Sequence, residues 1–194
     1  MRPKQGSKVI NFTHLKSLLL STDFGKKQEY RDLLKDGPVF LDRSEEFPKV
    51  AFASWARTGN SFLRKLLEQV TGVFTGSDMQ LEKTLPLQQS GLLGEQIQDN
   101  SVWITKTHYP QTQEPNSKFA ASKIIYITRH PVDVFPSMCG LFFTNSHVLE
   151  PKRPWNEYRF WPVYLQIMIP LFRQFHERIL EQAARTPTFF LTYE

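Results

Sequence analysis

"KVAFASWARTGNSFLRKLLEQV", residues 49–70, decides the fold. Behind Pro48, the short apolar run to Trp55 predicts a buried strand. From Asn60 onward the apolar residues are Phe62, Leu63, Leu66, Leu67 and Val70, which is helical spacing. Residues 56–60 therefore turn a strand into a helix N-terminus. Such a terminus offers unpaired backbone N–H groups and the positive end of the helix dipole. Gly59 lets the backbone close around an oxyanion, and Thr58, Asn60 and Ser61 add polar side chains. Arg57 adds a fork of donors suited to phosphate or sulfate. A capped helix with a solvated Arg57 is the plain alternative for the same residues.

The rest of the chain repeats this alternation. "SVWITKT" (101–107), "KIIYITR" (123–129) and "TFFLTY" (188–193) read as strands. Pro131 stands at a first helical position, and residues 156–184 read as helical, with Pro162 and Pro170 expected to kink or split them. Residues 71–100 carry scattered glycines and no sustained period, which predicts a long loop region. Strands alternating with helices predict an α/β fold with a central parallel sheet. Ligands in such sheets bind beyond the carboxyl ends of the strands. Three turns fall there: 56–61, 106–110 and 129–133. Residues 1–47 read as a helical N-terminal extension and residues 48–194 as the α/β domain.

The composition bounds the function. The chain has 194 residues, 40% of them hydrophobic, which is a globular rather than a disordered composition. A net charge of +5 favours an anionic ligand, but no Lys/Arg-rich run marks a nucleic-acid partner. One cysteine, Cys139, excludes an internal disulfide framework and fits a reducing compartment. No secretory signal core or apolar run of membrane-spanning length is present in the sequence, so a cytoplasmic protein is expected. The nucleotide triphosphatase loop G-x-x-x-x-G-K-S/T is absent, because no lysine precedes Ser61.

The other two turns carry further chemistry. In "TKTHYP" (105–110), Lys106 and His108 stand two apart on an extended chain and project to one side. An imidazole takes a proton from an attacking hydroxyl near neutral pH, and an ammonium balances charge on a leaving oxygen. An exposed lysine beside a packed histidine is the plain alternative. In "ITRHPVDVFPSM" (127–138), Arg129 ends a strand and Ser137 lies two helical turns on. Arg129 is placed for a phosphate, or for a salt bridge to Asp133. The histidines are too scattered for a metal site, so no metal is expected.

Taken in order, these segments resemble the sulfotransferase family. "WARTGNSF" (55–62) is similar to that family's 5'-phosphosulfate loop, Y-P-K-S-G-T-T-W. "TKTHYP" is similar to its K-T-H-L-P segment, "IIYITRHPVDVFPS" (124–137) to its 3'-phosphate motif, and "FFLTYE" (189–194) to its later strand ending in Tyr-Glu. The resemblance implies a P-loop-containing three-layer α/β sandwich. It implies transfer of a sulfuryl group from 3'-phosphoadenosine 5'-phosphosulfate to a hydroxyl or amine of a small molecule or glycan. Arg57, Thr58, Gly59, Asn60 and Ser61 would hold the phosphosulfate, with Arg57 also catalytic. Phe62 would stand beside the adenine, and Tyr193 would touch the base. Arg129 and Ser137 would hold the 3'-phosphate. His108 would be the general base and Lys106 a transition-state stabiliser. The sequence departs from the pattern at Arg57, usually lysine, and at Pro136, inside the expected helix. The family's usual glycine- and basic-rich segment does not follow Tyr-Glu in this sequence, which is expected of a truncated chain, of a part supplied from elsewhere, or of lost cofactor binding. That gap keeps open a second expectation: a catalytically silent sulfotransferase-like domain with protein partners in a larger assembly.

Overall fold

The structure is a computed structural model. It describes residues 37–44, 46–78, 87–88, 90–109, 121–144 and 154–194. The amphipathic stretches expected around 13–20 and 27–35 lie outside the described residues.

The strands are β1 (Val50–Ser54), β2 (Gly76–Ser77), β3 (Ile104–Thr107), β4 (Lys123–Thr128) and β5 (Thr188–Thr192). They form one five-stranded sheet in the order β2-β3-β1-β4-β5, the central parallel sheet of an α/β fold. The helices are α1 (Asn60–Thr71), α2 (Pro131–Thr144) and α3 (Trp161–Ala183). Every residue of β1 is buried, as the apolar run Val50–Ala53 requires of a central strand, and its last residue, Ser54, is buried although polar. The chain divides into two compact units: residues up to Val50 with Ser61–Lys106, and Ala51–Asn60 with Thr107–Glu194.

In the first unit, β2 and β3 pair in parallel, with Gly76 opposite Thr105 and Ser77 opposite Lys106. A buried polar network holds α1. The Arg64 guanidinium pairs with the Glu95 carboxylate, and it donates to the Thr75 hydroxyl at 2.8 Å and carbonyl at 2.9 Å. Glu68, one turn after Arg64, takes the Thr75 N–H at 2.9 Å and its hydroxyl at 2.7 Å. Arg64, Glu68 and Glu95 are all buried, so these bonds offset the cost of taking three charges out of water.

The second unit holds an aromatic core. Trp55 packs edge-on against Phe172 and Phe175, and Phe135 against Phe172. Tyr126, Met138, Cys139, Tyr164, Met168 and Ile179 complete its buried surface. β4 and β5 run in register from Ile124 opposite Thr188 to Thr128 opposite Thr192. They end in step, so Arg129 and Tyr193 leave the sheet side by side.

Helix α3 is not split by its prolines. It runs unbroken from Trp161 to Ala183 with Pro170 inside it, while Pro162 sits in its first turn, where no N–H is needed. An interior proline costs about 3 kcal/mol. Burial of Tyr164, Met168, Phe175 and Ile179 along one face offsets it, at about 1.5–3 kcal/mol per large side chain. Helix α2 likewise continues through Pro136. Strand β2 was not legible in the expected loop, because two residues carry no apolar pattern.

Candidate functional site

The turn after β1 is built from two left-handed residues. Arg57 has φ 67° and Gly59 φ 83°. Alternating backbone of this kind points successive N–H groups into a concavity that suits an anion. An arginine at positive φ is uncommon and persists only where its surroundings fix it. Here its side chain is fixed: Arg57 Nε donates to Ser137 Oγ at 2.9 Å, and the Arg57 carbonyl takes Arg129 Nη1 at 3.3 Å. Ser137 thus reaches the turn although Pro136 precedes it.

Gly59 is required for a second reason. A Cβ on it would lie 2.1 Å from Tyr193 Cδ2 and 2.2 Å from Cε2. The ring of Tyr193 lies directly on the turn, and the Arg129 guanidinium sits 4.8 Å from the ring centroid. Four positions far apart in sequence (Arg57, Arg129, Ser137 and Tyr193) therefore meet in one unit. Two guanidiniums share the place. Burial, and then the charge of Arg129, lowers the Arg57 pKa. Glu194 partly balances them. Its carboxylate accepts the His130 N–H at 2.9 Å, and that bond, with Arg129 nearby, holds its pKa below the usual value. Arg129 Nε is buried with no acceptor among the described residues. This donor set, two guanidiniums with one donor buried without a partner, fits a phosphate or sulfate ester. Helix α1 has no acidic residue in its first turn to neutralise its positive end.

The turn's polar side chains divide their roles. Thr58 is fully buried and donates its hydroxyl to the Trp55 carbonyl at 2.8 Å, closing the turn on itself. Its hydroxyl hydrogen is committed to the backbone, so the donor it offers a ligand is its N–H. Asn60 Nδ2 donates to Ser54 Oγ at 2.6 Å. Ser61 and Phe62 lie on the first turn of α1, in the other unit, and Phe62 is 67% exposed.

His108 follows β3 and is buried. Its Nδ1 lies 2.6 Å from the Ser54 carbonyl, which can only accept. Nδ1 therefore carries the hydrogen, and Nε2 of the neutral ring is the basic nitrogen. Lys106 belongs to the first unit and is buried on β3. Burial pushes its pKa down to about 8, against an upward pull from Glu95 and Asp78 and with Arg64 lowering it further.

Ser54 and Glu194 are the residues that the sequence did not single out by chemistry. Both act through or upon the backbone, and a backbone partner leaves no pattern in residue spacing. Among the described residues, no three His, Cys, Asp or Glu side chains gather as metal ligands would. No helix among them is long and apolar enough to cross a membrane.

The fold is a parallel α/β sheet, and arginines follow the ends of β1 and β4. The sulfotransferase domain model matches residues 47–194, and the chain belongs to that family. The WSCD family member CG9164 of Drosophila melanogaster is 40% identical over 83 residues, covering 42% of this chain and 24% of that protein. The WSCD family member AAEL009094 of Aedes aegypti is 40% identical over 70 residues, covering 35% and 21%. The matches thus span about a quarter or less of the length of these relatives. The crystal structure of mouse sulfotransferase SULT7A1 complexed with PAP is similar at 16% identity and a TM-score of 0.44, covering 86% of this chain and 56% of that one.

Proposed function

We propose that this domain transfers a sulfuryl group from 3'-phosphoadenosine 5'-phosphosulfate to a hydroxyl or amine of a small molecule or glycan. The observation that carries the proposal is the convergence of Arg57, Ser137, Arg129 and Tyr193 on one positive-φ turn. Nothing in a merely capped helix calls for two guanidiniums and an aromatic ring at its start.

In this reading the N–H groups of residues 57–60 and the Arg57 guanidinium hold the 5' end of the donor. Arg129 and Ser137 hold its 3'-phosphate, and Tyr193 lies against the base. The donor, when bound, supplies an activated sulfuryl group on a phosphate leaving group. His108 takes the acceptor's proton at Nε2, the nitrogen that its Ser54 contact leaves basic. The Arg57 guanidinium offsets negative charge on the departing oxygen. The test is turnover with labelled donor and a panel of hydroxyl and amine acceptors. Transfer that depends on His108 supports the assignment. Donor binding without transfer to any acceptor class would instead indicate a silent domain.

A further inference from the structure

Ser54 is the last residue of β1, has no exposed surface, and holds two other segments at once. Its Oγ accepts Asn60 Nδ2–H at 2.6 Å, at the first residue of α1. Its carbonyl accepts His108 Nδ1–H at 2.6 Å. Asn60 and His108 are each 8% exposed, so neither bond competes freely with water. Asn60 Oδ1 is buried with no hydrogen-bond partner, so the carboxamide's described anchor is its Nδ2 bond to Ser54.

We propose that Ser54 is a positioning residue for His108. Its hydroxyl ties the end of β1 to the helix start, and its carbonyl, thereby held, fixes the imidazole as the Nδ1–H tautomer. This leaves Nε2 to receive the acceptor's proton, so the proposal rests on the base role given to His108. Alanine would keep the carbonyl but remove the atom that Asn60 grips. The peptide at position 54 would then be held by β1 alone, and the ring would lose part of the restraint that selects its tautomer. A serine that only filled space would, on removal, cost stability and leave the imidazole's titration where it was.

The experiment follows the His108 ring by long-range proton–nitrogen NMR of the nitrogen-15-labelled full chain. No nucleotide or acceptor is present, and assignment is by difference against His108→Ala. Wild type is expected to show the Nδ1–H tautomer. Ser54→Ala is expected to show mixed tautomers and a titration midpoint moved by about half a pH unit or more. Its kcat should fall about tenfold while the dissociation constant for adenosine 3',5'-bisphosphate changes less than about threefold. Ser54→Thr, which keeps the hydroxyl, should restore the wild-type spectrum. Asn60→Ala removes the other half of the contact and should shift the ring in the same direction, which keeps the test open if Ser54→Ala does not fold. An unchanged tautomer and midpoint in either folded variant would overturn the proposal. Because the spectra need no turnover, that failure is distinct from a failure of the sulfuryl-transfer assignment, which would show as no transfer to any acceptor by the wild-type chain, and from loss of the base role of His108, which would show as normal turnover in His108→Ala.

Discussion

Gly59→Ala probes how the turn is built. Two costs fall on it. The first is backbone: at φ 83° an L-residue other than glycine pays about 1–2 kcal/mol. The second is collision: the new Cβ would sit 2.1 Å from Tyr193 Cδ2, far inside van der Waals contact. The ring must then leave, and its contact with the Arg129 guanidinium goes with it, at about 0.5–1 kcal/mol for a partly exposed pair. Together these come to about 2 kcal/mol, which for a chain of this size lowers Tm by about 4–8 °C. Thermal melts of wild type, Gly59→Ala, Tyr193→Ala and the double variant separate the terms. In the Tyr193→Ala background the collision disappears and only the backbone cost of about 1–2 kcal/mol remains. If Gly59→Ala is as stable as wild type, or costs as much without the Tyr193 ring as with it, the packing of this turn has been misassigned.

Three further outcomes are expected. His108→Ala should lower turnover by about 10²–10⁴-fold and leave adenosine 3',5'-bisphosphate binding within a few-fold, measured by steady-state kinetics and titration. Arg129→Ala should weaken adenosine 3',5'-bisphosphate about 10–100-fold but leave adenosine 5'-phosphate nearly unchanged, as expected for loss of a charge-assisted contact to one phosphate; equal loss for both nucleotides would remove Arg129 from the 3' side. Lys106 has a folded pKa of about 8 against an ordinary 10.5, so between those values the unfolded chain binds more protons. Stability relative to Lys106→Met should therefore rise from about pH 8 to 10.5, read by denaturant melts.

Much of the architecture was legible because it rests on burial. β1 begins with an apolar run, Val50–Ala53, and is buried throughout, and α1 begins at Asn60, where the helical spacing begins. The registered ends of β4 and β5 explain why Arg129 and Tyr193, 64 positions apart by their numbers, come to touch. Three features were not legible, each for a physical reason. β2 has two residues and is set by pairing with β3 rather than by its own composition. The continuity of α3 through Pro170 depends on packing of its buried face, which local propensity does not contain. The inward commitment of the Thr58 hydroxyl and the grip of Ser54 on His108 are bonds to backbone carbonyls, invisible in a pattern of side chains. The structure also separates Ser61, Phe62 and Lys106 from the remaining site residues by compact unit, which motif order along the chain does not show.

The central claim is that the turn after β1 and the end of β4 together hold a doubly phosphorylated adenosine. Calorimetric titration of the chain with adenosine 3',5'-bisphosphate tests it most directly. Micromolar binding that is lost when Arg57 and Arg129 are both replaced by alanine is the predicted result. No heat of binding at millimolar nucleotide, from a chain shown to be folded, would contradict it.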